Sequence, residues 1–104
     1  MAIHTTAVST SDTTVYTSAL ESAITLLSLC NYTSSAVTVS VHIVPTGSTP
    51  TNSNIFIKDL EILARDTFIV YEGGEKIILS DDDSISVIAS NLNSVNAITS
   101  YVQI

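Results

Sequence analysis

The stretch Ala36-Val37-Thr38-Val39-Ser40-Val41-His42-Ile43-Val44 decides the fold class. Val37, Val39, Val41 and Ile43 alternate with Thr38, Ser40 and His42, a strict period of two built mostly from β-branched residues. That is the pattern of a strand with one face buried and the other wet or lightly covered. At roughly 3.3 Å per residue the nine positions span about 30 Å, the full height of a small sandwich. Just before it, Ala23 to Asn31 reads as a second long strand, and Tyr32-Thr33-Ser34-Ser35 supplies a short polar turn. The two strands are expected to pair as a central hairpin, and Val37, Val39, Val41 and Ile43 to point into a core shared with Ile85, Val87 and Phe68, whose alternation has the matching phase.

Outward from this pair, the chain offers more short strands and no sustained helical period. Ala2 to Val8 is a weak strand, Ser9 to Thr14 a turn, and Thr13 to Thr17 a short edge. The Ala23 strand carries apolar residues on both faces, Ile24 and Leu26 against Leu27 and Leu29, which suggests a central position or a second buried surface. After Val44, the run Pro45-Thr46-Gly47-Ser48-Thr49-Pro50-Thr51-Asn52-Ser53-Asn54 forbids a regular ladder and is an exposed loop. Asn54 to Leu63 resumes as a strand whose apolar phase slips around Lys58-Asp59, the signature of a bulge or bend. Thr67 to Tyr71 follows, then Glu72-Gly73-Gly74-Glu75, whose paired glycines signal a hairpin. Lys76 to Leu79, Ser84 to Ala89 and Val95 to Ile104 complete the series, the last with Val95, Ala97 and Tyr101 on one face and Ile98, Val102 and Ile104 on the other. About eight strands with turn residues between them predict one domain over residues 1–104, an all-β antiparallel β-sandwich of immunoglobulin-like or jelly-roll type.

Composition narrows the function classes. Three Lys and Arg against ten Asp and Glu give a formal charge of −7, which argues against nucleic acid, whose phosphates are bound chiefly by cations. Charged residues are only 12%, against about 25% in ordinary soluble domains; 30 of the 104 residues are Ser or Thr. Such short hydroxyl side chains cost little entropy to order against a partner. No segment approaches the roughly 20 consecutive apolar residues of a membrane span, and Met1 to Thr6 has neither the basic region nor the apolar core of a secretory leader. The single cysteine, Cys30, precludes an internal disulfide and reads as a small buried hydrophobe of a central strand.

The residue types that carry chemistry are sparse. Asp81-Asp82-Asp83 offers carboxylates to Ca²⁺ but lacks the spaced ligands of an EF-hand loop and reads as a solvated turn. His42 lies two residues from Ser40 on one strand face, with no glycine-framed nucleophile turn, and His4 is remote in sequence. Asn31-Tyr32-Thr33 matches a glycosylation sequon but reads as turn chemistry. No enzyme, metal or cofactor is expected. Tyr16, Tyr32, Tyr71 and Tyr101 are candidates for a sugar-stacking platform, the main binding-module alternative, although tryptophan is absent.

The succession Val15-Tyr16-Thr17-Ser18, Leu29-Cys30-Asn31, Val37-Thr38-Val39, Ile43-Val44-Pro45-Thr46-Gly47, Asp66-Thr67, Glu75-Lys76-Ile77-Ile78-Leu79, Asp83-Ser84-Ile85 and Ala89-Ser90 resembles small virion structural proteins of tailed phages. Such proteins are especially frequent in phages of marine and photosynthetic bacteria, and related modules occur within tail-fibre chains. The resemblance covers nearly the whole chain and implies a β-sandwich located in the virion. The function expected from it is capsid decoration or cement, through binding of major-capsid subunits; a tail, baseplate or fibre component is the alternative, and a carbohydrate-binding module at the host surface a further one. The expected partners are the major capsid protein or other virion proteins and further copies of the chain, a trimer being favoured. The surfaces expected to dock are the loop Pro45, Thr46, Gly47, Ser48, Thr49 and Pro50, stiffened by its prolines, and the apolar final strand at Tyr101, Val102 and Ile104.

Overall fold

The alternation from Val37 to Ile43 becomes an inner strand of a four-stranded sheet. The computed structural model describes residues 2–71 and 77–104, which form nine strands: β1 (Ala2–Val8), β2 (Thr13–Thr17), β3 (Ser22–Asn31), β4 (Val37–Val44), β5 (Ile55–Ile62), β6 (Thr67–Tyr71), β7 (Ile77–Leu79), β8 (Ser84–Ala89) and β9 (Val95–Gln103). A front sheet has the order β1-β9-β3-β6, with β7 also on β3, and a back sheet the order β2-β8-β4-β5. All pairings are antiparallel. Val15, Ile24, Leu27, Leu29, Val39, Val41, Ile85, Val87 and Val95 fill the space between the two sheets.

The strand order selects between the two architectures that the sequence left open. β6 and β7 both run antiparallel to β3, on its Leu27–Cys30 and Ser22–Ile24 halves respectively, so they lie in line along one edge. Counted together as the one partner of β3 on that edge, they make eight, and the pairs nest: β1 with β9, β2 with β8, β3 with β6/β7, β4 with β5. An antiparallel ribbon folded over on itself in this way is a jelly roll. The hairpin expected at Glu72 to Glu75 lies outside the described residues; β6 and β7, which flank it, run in the same direction and are not the two arms of one hairpin.

Three further expectations change. The central hairpin does not form, because β3 belongs to the front sheet and β4 to the back one; Tyr32 to Ser35 turns a corner between sheets. Asn31 holds that corner from a fully buried position. Its side-chain amide donates to the carbonyls of Ser35 (2.8 Å), Ile62 (3.0 Å) and Leu63 (3.2 Å), and its Oδ1 accepts from the Thr33 N–H and hydroxyl. Phe68, expected in the core with Val39 and Val87, is 36% exposed, on an outermost strand whose register slips opposite Leu27 and Ser28. In β3 a register shift between Ile24 and Leu26 brings Ile24, Leu27 and Leu29 all into the core and leaves Leu26 half-buried. The slip around Lys58-Asp59 is present: Val39 faces Leu60 and Val41 faces Ile57, with Asp59 at a φ of 51°.

Candidate assembly surface

Among the described residues, the strands of the front sheet contain no Asp, Glu, Lys or Arg. In the back sheet, β5 alone carries Lys58, Asp59 and Glu61. The alternation that sends Leu27, Leu29, Val95 and Ala97 inward sends Ala23, Leu26, Cys30, Ile98 and Val102 outward, because Ala23 pairs with Val102 and Ser28 with Ile98. β1 adds Ile3 opposite Ser100, and β7 adds Ile78 opposite Ala23. Ile3, Ile69, Ile78 and Val102 are exposed. Two hydroxyls in the middle of this face, Thr25 and Ser100, bond to each other at 3.0 Å and so present little unpaired polarity. Beside them is a hollow of about 320 Å³ lined by Ala23, Ile24, Thr25, Tyr71, Ile78, Val102 and Ile104. A broad sheet face without charge loses no ionic hydration when covered, which is what a docking surface requires.

The two expected docking segments come together at one end of the sandwich. Thr46 donates its N–H to Asp83 (2.9 Å) and its hydroxyl to the Asp81 carbonyl and to Asp83. Asp81 in turn accepts from the Leu20 N–H at 2.8 Å. Gln103 Nε2 reaches the Ala19 carbonyl, and the Ile104 N–H bonds to the Glu21 carbonyl. Pro45 to Pro50 and Val102 to Ile104 therefore join through Ala19 to Glu21 and Asp81 to Asp83. Within the loop, Ser48 N–H closes a turn onto the Pro45 carbonyl, Gly47 takes a φ of 82° that an L side chain rarely adopts, and Asn54 bonds to Thr49 and Thr51. The loop is exposed from Pro45 to Thr49, and Ile104 is exposed as well. Tyr101 is the exception among the expected contact residues: its ring lies 4.5 Å from that of Tyr16 and packs against the core, since Tyr101 falls on the inward phase of β9.

The candidate chemistry is otherwise engaged. Asp83 is partly desolvated, which raises its pKa, but the N–H groups of Thr46 and Ser80 and the Thr46 hydroxyl outweigh this and hold the carboxyl below its ordinary value. Its ionised form therefore contributes stability above the unfolded-state pKa, near 4, that is lost as pH falls through the lower folded-state value. Melting curves between pH 2 and 7 should show Asp83→Asn to be less stable than wild type at pH 7, with the difference shrinking at the acid end. A constant difference across that range would contradict the assignment. No group of three or more His, Cys, Asp or Glu able to hold a metal occurs among the described residues.

Ser40 accepts the Asp59 N–H at 2.9 Å and is committed to the bulge, while His42 Nδ1 is buried with no hydrogen-bond partner among the described residues. Both were expected on a wet or lightly covered face, yet both are buried. Cys30 is half-buried rather than buried, because it lies on the outward phase of β3. The four tyrosines form no platform: Tyr16 is buried with its hydroxyl on Ser22, Tyr71 packs against the core, and only Tyr32 is exposed. A cleft of about 270 Å³ is nevertheless lined by His4, Thr14, Tyr16, Thr17 and Tyr101. No family model matches this chain, and no curated protein matches it.

Proposed function

We propose that this chain is a structural, non-catalytic protein of a tailed-phage virion, a capsid decoration or cement protein that binds major-capsid subunits and works with further copies of itself. A tail, baseplate or fibre component is the next reading of the same surface. The observation that carries the proposal is the charge-free outer face of the front sheet. On a chain of net charge −7, the strand-borne charges among the described residues are confined to β5 of the back sheet. An interface of about 800 Å² per partner is about a seventh of the chain's 5640 Å² surface, an area that one face of a four-stranded sheet can supply. Jelly rolls are frequent in viral capsids and in lectins alike, so the fold supports the reading by analogy only. The role requires no cofactor, nucleic acid or membrane.

The cleft at His4, Tyr16 and Tyr101 favours one other reading, a carbohydrate-binding module at the host surface. One experiment separates the two. Phage particles produced with this reading frame disrupted are incubated with the purified wild-type chain or with the double variant Ile78→Glu/Val102→Glu, and binding and heat resistance of the particles are measured beside a glycan array. Both substitutions lie at exposed positions, so the fold is retained. The proposal expects wild type to bind and protect the particles and the double variant to lose most of both. Glycan binding without particle binding would replace it with the second reading.

A further inference from the structure

A sandwich of two open sheets has four edges, and exposed edges are normally blunted against pairing with other chains by charges, bulges or shortness. Three of these four are blunted. β5 carries Lys58, Asp59 and Glu61 and shifts register twice against β4. β2 is five residues long with a register shift between Thr14 and Tyr16. At the opposite edge of the front sheet, β6 shifts register against β3 between Leu27 and Ser28, and Tyr71 faces Leu27 while Ile77 faces Ile24, so no single regular register runs through β6 and β7. The fourth edge, β1, is different: its seven residues, Ala2-Ile3-His4-Thr5-Thr6-Ala7-Val8, pair with β9 without a register shift and include no proline, Asp, Glu, Lys or Arg. Ile3, His4, Thr5 and Ala7 are exposed. Among the described residues, no backbone bond from the neighbouring sheet covers this edge; the link is a side-chain one, Thr6 Oγ1 to the Val15 carbonyl at 3.4 Å.

We infer that β1 is a self-association edge, which pairs antiparallel with β1 of a second copy about a two-fold axis at Thr5. This deepens the assembly reading above and rests on it. The occupant follows from symmetry and charge. An antiparallel strand is its own complement under a two-fold axis: Ile3 faces Ala7 of the other copy, His4 faces Thr6, and Ala2 faces Val8, so no like charges meet and His4 does not face itself. The carboxylate nearest in sequence is Asp12, beyond the Val8 end. Antiparallel pairing sends the two Asp12 turns to opposite ends of the joint, separated by roughly 20 Å at about 3.3 Å per residue, well beyond the ~8 Å Debye length at physiological salt. Parallel pairing would place them side by side. The product is one continuous front sheet across two copies, with about six new backbone hydrogen bonds and a charge-free outer face doubled in width for a particle surface to cover.

The test is a charge swap on the axis. Sedimentation velocity over a concentration series is run on the full chain as wild type, as Thr5→Lys, as Thr5→Glu, and as an equimolar mixture of the two variants. Thr5 is exposed, so each variant keeps the fold, as circular dichroism checks. Wild type should dimerise with rising concentration, and each variant alone should lower the association constant by roughly tenfold, since it sets like charges face to face. The mixture should recover dimer, because only pairing of Thr5 with Thr5 puts Lys opposite Glu. A monomeric or trimeric wild type, variants that associate like wild type, or a mixture that does not recover would each overturn the inference. Ile78→Glu/Val102→Glu should leave this dimer intact while losing particle binding, so the edge and the face fail separately.

Discussion

Val39→Asp should leave no soluble folded protein. Val39 is 1% exposed, at the middle of β4, opposite Ala89 of β8 on one side and Leu60 of β5 on the other. A carboxylate there has to be buried without a partner or neutralised, at a cost of several kcal/mol. The total stability of a domain is about 5–15 kcal/mol, so the substitution consumes most or all of it. Solubility on expression and the thermal transition seen by circular dichroism measure the outcome. An unchanged melting temperature would mean that the phase of β4, and with it the inner face of the back sheet, is misassigned.

The second large effect is expected at Asn31. Asn31→Ala removes the donor from three backbone carbonyls and the acceptor from Thr33, in a fully buried place. Orphaned buried polar groups cost about 1–3 kcal/mol each, and partial relaxation brings the total to roughly 3–5 kcal/mol. Asn31→Asp keeps the shape but turns an oxygen toward the three carbonyls, and should destabilise at least as much at neutral pH. Urea unfolding at pH 7 reads both, and a loss below about 1 kcal/mol for either variant would show that the corner is held by other means.

These two residues mark how far the sequence could be read. Val39 was legible, because alternation in a β-branched run fixes which side chains share a face whatever the strand pairs with. The outward phases of β9 and the bulge at Lys58-Asp59 were legible for the same reason. Asn31 was not: a four-residue polar turn serves a hairpin and an inter-sheet corner equally well, and the bonds that decide between them reach Ile62 and Leu63, 31 and 32 residues away in sequence. Phe68 misled because strand alternation cannot tell a core-facing position from the same phase on an outermost strand with slipped register.

The candidate surface divides along the same line. The lack of charge in β1, β3, β6 and β9 can be read from the sequence, whereas the strand read over Lys76 to Leu79 included a lysine; that these strands share one sheet depends on the nested pairing. Likewise, nothing local links Thr46 to the final strand; the connection runs through Asp81 and Asp83, which the sequence offered only as a solvated turn. The signal that could have been used is the pairing of a three-aspartate turn with a Pro-Thr-Gly loop: the turn supplies a carboxylate and a carbonyl as acceptors, and Thr46 supplies its N–H and hydroxyl as donors.

The central claim is that the outer face of the front sheet is what the particle covers. Hydroxyl-radical footprinting of the chain, free and on virions, tests it most directly, because it reads the exposure of individual side chains. Ile3, Ile69, Ile78 and Val102 should be protected on the particle, while Phe56, exposed on β5 of the back sheet, should be labelled equally in both states. Protection of Phe56 with unchanged labelling of Ile78 and Val102 would contradict the account.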